Sequence, residues 1–325
     1  MINITDYQAV AEQAAAQWAD VTSPPRLVVQ RENIVFRLET LQGPHALRLH
    51  RRGYHREAVI KSELLWMDML ARHHFAVPTP KKAMSGEFIV RAYDSLGDEH
   101  MCSLLAWLPG EQFGKSAQPL MVQGSRRTLL MAAIGRKLAR MHLLSDAWAR
   151  PSDFERPRWD FDGLLGENPF WGKFWAATFL TQDEREILEN VRSKCIVALR
   201  VYEASGADRG LIHADLAREN ILVDGDTVNF IDYDDSGFGY RLFDIATALI
   251  KNIHEPDYVD LRKALLDGYR EVRALQQKHL DVLPLMMLLR SLTYLGWVDE
   301  RIHEPEMPAK AIRFLADVKI FSRLL

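Results

Sequence analysis

Three oxygen-bearing side chains stand at a spacing that suits phosphoryl transfer. They lie in Leu211-Ile212-His213-Ala214-Asp215-Leu216-Ala217-Arg218-Glu219-Asn220-Ile221-Leu222-Val223-Asp224, which continues through Val228-Asn229-Phe230-Ile231-Asp232-Tyr233-Asp234-Asp235. Asp215 follows an apolar pair, Asn220 comes five positions later, and Asp232 ends a second apolar run. Passing a phosphoryl group to a hydroxyl needs one carboxylate that orients the hydroxyl and accepts its proton. It also needs an amide oxygen and a second carboxylate to hold the magnesium ion that bridges the nucleotide phosphates. Taken singly, these residues would be loop carboxylates and a turn Asn. Their order and framework favour the chemical reading.

Positioning them falls to a hairpin. Strands near 221–223 and 228–231, joined at Asp224-Gly225-Asp226, would bring Asn220 and Asp232 side by side close to Asp215. The rest of the chain changes character once. Helical spacing marks residues 3–19 before Ser23-Pro24-Pro25 interrupts it. Strand patterns follow at Leu27-Val28-Val29, at 33–38 and, after a turn at Gln42-Gly43-Pro44, at 46–49. A basic loop leads to a helix over 57–72, and strands are expected at 87–91 and 100–108. Beyond Pro109-Gly110 helical stretches dominate, at 119–145, 181–203, 240–251, 257–278 and 281–301. The expectation is an α+β protein of two lobes. Residues 1–108 would form a β-rich nucleotide-covering lobe with an N-terminal helix and one main helix. Residues 109–325 would form a mostly helical lobe with the catalytic loop and acceptor site. A hinge is expected near Leu108-Pro109-Gly110, and ligand sites favour such clefts.

Composition narrows the class. The 325 residues are 48% hydrophobic and 26% charged, with a formal net charge of -3, which fits a globular chain and gives no reason to expect nucleic acid. The basic run from Arg48 to Arg56 is short, and it reads as a solvated loop beside phosphates. No apolar run approaches the roughly 20 residues of a bilayer span, so no membrane role is expected. The N-terminus lacks the pattern of a secretory signal. Two cysteines, Cys102 and Cys195, suit a reducing cytoplasm, and the histidines show no zinc framework.

The segment 211–246 resembles the aminoglycoside phosphotransferase and choline kinase-like family, bilobal kinases with a protein-kinase-like fold. His213-Ala214-Asp215-Leu216 followed by Asn220 parallels the kinase catalytic loop, and Asp232 the metal-binding Asp. Two further stretches carry the resemblance, Ile134-Gly135-Arg136-Lys137-Leu138-Ala139-Arg140-Met141-His142 and residues 47–70. The chain is most similar to the branch with homoserine kinase-like and stress-response kinase-like members. The resemblance implies Asp215 as catalytic base, Asn220 and Asp232 as magnesium ligands and His213 as a structural histidine. Asp244 would brace the catalytic loop, unless it only caps a helix.

In the small lobe the family usually anchors phosphate with a strand Lys paired to a helix Glu. Here the strand carries Arg48, and Glu63 fits the partner role. A solvated Arg and a surface Glu are the plainer alternative. No glycine-rich loop is present; Asn33 stands where amides would cover the phosphates. The linker from Leu105 to Leu108 would offer backbone groups of Ala106 and Leu108 to adenine, with ATP implied by the family. Aromatic residues crowd 158–175 and, after Arg290, 294–297. They read as packing surface or as walls for a small hydroxyl acceptor. Asp234 and Asp235 could meet an amine-bearing acceptor or a second metal, with a solvated loop as the plainer alternative. An amino alcohol, a homoserine-like or an aminoglycoside-like acceptor would all suit. A protein substrate, as for an atypical Ser/Thr kinase, stays open, though the chain lacks the Ala-Pro-Glu element. A nucleotide-binding pseudokinase is the third reading.

Overall fold

The structure is a computed structural model that describes residues 4–30 and 33–324. Arg31 and Glu32, which precede Asn33 in the place of a glycine-rich loop, lie outside the described residues. The chain forms two compact units. The first takes the chain up to Gly110 together with Ala149–Glu155 and Asn229–Asp234; the second takes Glu111–Trp148, Arg156–Val228 and the chain from Asp235 on.

The first unit begins with α1 (Ile4–Ala15), shorter than the expected helix. Strands β1 (Arg26–Gln30), β2 (Ile34–Thr40) and β3 (Gly43–Leu49) follow, then α2 (Glu57–Arg72), β4 (Pro80–Lys81), β5 (Ile89–Tyr93) and β6 (Glu99–Ala106). They make one sheet in the order β1-β2-β3-β6-β4, with β5 also pairing β6, and every pairing is antiparallel. Alternation explains the register. Phe36 and Leu38 of β2 and Leu47 and Leu49 of β3 point to one face, where Val10, Ala11 and Ala14 of α1 and Trp18 close the core. On α2, Val59, Ile60, Glu63, Leu64, Trp66, Met67 and Leu70 share the buried stripe at three- and four-residue spacing. A carboxylate at 63 is therefore carried inward with the apolar residues.

The second unit contains β7 (Glu111–Gln112), α3 (Arg126–Ala147), β8 (Arg158–Trp159), α4 (Phe161–Leu165), α5 (Gln182–Ala204), β9 (Arg209–Ile212), β10 (Ile221–Asp224) and β11 (Thr227–Phe230). The last two residues of β11 group with the first unit. Then come β12 (Gly237–Tyr240), α6 (Arg241–Ile250), α7 (Tyr258–Val272), α8 (Gln277–Leu280), α9 (Leu283–Asp299) and α10 (Met307–Ser322). The hairpin expected around Asn220 is present: β10 lies between β11 and β7, and Gly225 turns at φ 57°. Helices α3 and α7 approach closely through two glycines. A Cβ on Gly135 would stand 2.0 Å from the Leu265 carbonyl oxygen, and one on Gly268 would stand 2.1 Å from that of Ala132. The expected helix 257–278 breaks after Val272. Helix α10 was not foreseen, although Met307, Ala311, Phe314, Val318 and Phe321 form its buried stripe and Pro308 sits in its first turn. Among the described residues no helix is long and apolar enough to cross a membrane.

Candidate active site

Strand β9 ends at Ile212, and the loop after it carries Asp215. The loop is not extended: Ala214 adopts φ 67°, a left-handed value that costs a non-glycine residue about 1–3 kcal/mol. Asp244, in the first turn of α6, holds it there. Its Oδ2 accepts the His213 N–H at 2.8 Å and its Oδ1 accepts the Ala214 N–H at 2.7 Å. Asp244 thus braces the loop; the cap position of α6 belongs to Tyr240. The brace is itself oriented. Nε2 of His142 on α3 donates to Asp244 Oδ2 at 3.0 Å, and the Tyr269 hydroxyl on α7 donates to His142 Nδ1 at 2.9 Å. Burial and nearby Arg241 push His142 down to about 4, against the pull of Asp244. The ring stays neutral and a single donor toward Asp244. Burial pushes the Asp244 carboxyl up, but the His142 bond, the electrostatic pull of the His142 and His213 rings and the His213 N–H together hold it below its ordinary value.

Both Asp215 oxygens are engaged. The chain turns once through a short helical segment, Arg218–Asn220, so that Asn220 Nδ2 donates to the Asp215 carbonyl at 2.8 Å and to Oδ2 at 2.9 Å. The Asn220 side-chain oxygen accepts no hydrogen bond among the described residues. Oδ1 takes Nη2 of Arg290, a fully buried residue of α9, at 2.5 Å. Rings cover that guanidinium: its carbon lies 4.2 Å from the Tyr294 centroid, 4.5 Å from Trp171 and 5.5 Å from Phe243. Trp171 also lies 6.4 Å from Trp297 and donates its indole N–H to Asp235 Oδ1 at 3.3 Å. The two aromatic segments noted in the sequence therefore meet beside Asp215. Lys251 places Nζ 3.6 Å from the Tyr294 centroid; burial, Arg290 and Arg313 push it down to about 7. The loop's own cation, Arg218, is turned away to Asn252, the Gln118 carbonyl and Glu255.

In the first unit, β3 and α2 bring Arg48 and Glu63 together. Arg48 Nη2 meets Glu63 Oε1 at 2.7 Å, with both side chains buried. Burial works against the Arg48 charge, but Glu63, then Asp234 and Asp232, outweigh it and raise its pKa. Arg48 Nε has no acceptor among the described residues. Asp232 adopts φ 63°. Asn33 is committed to protein partners: its oxygen accepts the Arg51 N–H at 3.0 Å, and its amide donates to Asp234 Oδ2 at 3.1 Å. Ala106 ends β6 and gives its N–H to the Thr79 carbonyl at 2.9 Å. Leu108 lies past the strand, and its backbone makes no hydrogen bond among the described residues.

The sequence reading missed the roles of Arg290, Lys251 and His142. Arg290 had a visible signal, being the single charge between Asp281 and Asp299 in an otherwise apolar helix.

A family model described as the phosphotransferase enzyme family matches residues 26–277. A solved structure of a microcompartment-associated aminopropanol kinase is 30% identical, covers 95% of this chain and 94% of its own, and has a TM-score of 0.80. The amicoumacin kinase hAmiN, solved with AMP-PNP, Ca2+ and Ami, is 19% identical over 96% of this chain and 95% of its own, with a TM-score of 0.76; at that identity the likeness is one of fold. The homoserine kinase of Neisseria meningitidis serogroup B is 30% identical over 199 residues, 59% of this chain and 59% of that protein. The kinase-like α+β fold and the resemblance read from the sequence are borne out by these likenesses.

Proposed function

This chain belongs to the phosphotransferase enzyme family, and we propose that it moves the γ-phosphoryl group of ATP, with magnesium, to a hydroxyl of a small amino alcohol. One observation carries the reading: Asp215 is fixed in a strained loop braced by Asp244, with its carboxylate gripped by named donors on both oxygens. In this reading Asp215 accepts the hydroxyl proton of the acceptor as the hydroxyl attacks phosphorus. The likeness to an aminopropanol kinase supports the acceptor class.

The chemistry of each of the two expected ligands suits magnesium. Asn220 offers a side-chain oxygen that accepts no bond among the described residues, and Asp232 offers a carboxylate. Amide and carboxylate oxygens are the hard donors that magnesium takes beside water and phosphate. Bound magnesium would supply charge to the β- and γ-phosphate oxygens. Arg48, steadied by Glu63, keeps donors for phosphate, and Leu108 keeps its backbone for adenine, with Ala106 beside it.

The test is ADP release from Mg-ATP across a panel of hydroxyl-bearing metabolites and antibiotics, including 1-amino-2-propanol and homoserine. Asp215→Ala should lose roughly 10²–10⁴ in turnover while still binding nucleotide. Asp232→Ala should also weaken magnesium-dependent nucleotide binding. Equal ADP release by Asp215→Ala and the parent protein would sink the assignment.

A further inference from the structure

A buried guanidinium beside the proposed base needs an explanation. Arg290 is fully buried in an apolar helix, and its guanidinium makes one hydrogen bond among the described residues, to Asp215 Oδ1. Its Nε and Nη1 have no acceptor there. As a device for stability this is poor, because a buried ion pair that leaves donors unsatisfied gains little over an apolar side chain. The aromatic faces of Trp171, Tyr294 and Phe243 compensate part of that cost and fix the guanidinium plane. A charge kept at such a disadvantage points to function.

We propose that Arg290 is a positioning residue for Asp215, pinning Oδ1 so that Oδ2, which takes one N–H from Asn220, presents its other lone pair to the acceptor hydroxyl. The inference rests on the reading of Asp215 as the base. The division of labour follows from the two grips. Asn220 holds Oδ2 from the same loop through its amide N–H, which leaves its side-chain oxygen for magnesium. Arg290 holds Oδ1 from α9, a separate rigid element whose ring contacts keep the side chain in place. The loop has no cation of its own to grip Asp215, since Leu216 and Ala217 are apolar and Arg218 points to Glu255. Lys251 faces rings and carries no hydrogen bond to Asp215.

The experiment compares Arg290→Met and Arg290→Lys in the full-length protein by steady-state kinetics, nucleotide binding, thermal melting and crystallography. The probe is Mg-ATP with 1-amino-2-propanol or whichever panel member releases ADP. Arg290→Met should lower kcat roughly hundredfold, the scale of a mispositioned reacting group, with the KM for ATP and the Kd for ADP nearly unchanged. Arg290→Lys should recover part of that loss. The Arg290→Met crystal structure should show the Asp215 carboxylate rotated from its parent position. An unmoved carboxylate overturns the proposal. So does an unchanged kcat, or a loss of kcat matched by equal losses in nucleotide affinity and melting temperature with no recovery in Arg290→Lys. If the parent protein turns over no acceptor, the phosphotransfer reading fails, and the carboxylate position still decides the role of Arg290.

Discussion

Arg48 shows how much one residue can be asked to do. Its Nη2 is occupied by Glu63, while Nε remains unpaired among the described residues. A lysine there would keep the charge and lose the planar fork. Arg48→Lys is therefore expected to raise the KM for ATP about tenfold, the size of one charge-assisted hydrogen bond, with a smaller change in kcat. Steady-state kinetics at saturating acceptor would show it, and an unchanged KM would remove Arg48 from the phosphate site. The pairing with Glu63 was legible in the sequence, because helical spacing places position 63 on the buried stripe of α2. The Arg290–Asp215 pairing was not, since the partners stand 75 positions apart and meet only through helix packing. Asp244 lies between these cases. Its place near a helix start was visible, but bracing and capping could be told apart only from the two backbone N–H groups it accepts.

Helix α3 carries His142 to the brace, and its seat on α7 depends on two glycines. Glycine inside a helix is ordinarily a weakness, so Gly135→Ala in isolation would gain about 1 kcal/mol. Here the added methyl would meet the Leu265 carbonyl, and overpacking costs about 1–3 kcal/mol. A net loss of stability is expected, read as a lower denaturant midpoint with an unchanged slope. A stabilised Gly135→Ala variant would contradict the close approach. Element identities were mostly legible from periodicity, including α2, the meander of β1 to β3 and the hairpin of β10 and β11. Ends were less so. Helix α7 stops where the chain turns before α8, and α10 was passed over although its apolar spacing is regular. Regular spacing identifies a helix only once a surface exists to receive its stripe.

At the scale of the whole molecule, acid should be the revealing condition. His142 is buried and neutral with a pKa of about 4, whereas an unfolded histidine titrates near 6.5. As pH falls from about 6.5 to 4 the unfolded chain gains a proton that the folded chain refuses, so stability drops by about 1.4 kcal/mol per unit, on the order of 3 kcal/mol in total. Asp244 extends the loss. Its folded carboxyl lies below its ordinary value, so its contribution is present above about 4 and disappears as pH falls through the folded pKa. His142→Gln should flatten the slope between about 6.5 and 4 by one proton while lowering stability at neutral pH. Chemical denaturation at several pH values measures both effects; a slope identical to that of the parent protein would show that His142 is not the group responsible. Composition predicted none of this. A net charge of -3 spread over 325 residues says nothing of a single histidine enclosed between Tyr269 and Asp244.

The arginine on β3 has one more consequence, for chemical tagging. Reagents that mark nucleotide-binding proteins by acylating a lysine amine beside the phosphates need a nucleophilic nitrogen, and a guanidinium held protonated by Glu63 and its acidic neighbours offers none. If Arg48 stands at the phosphates as proposed, surveys built on such tags would pass over position 48, and a lysine installed there would give them a target.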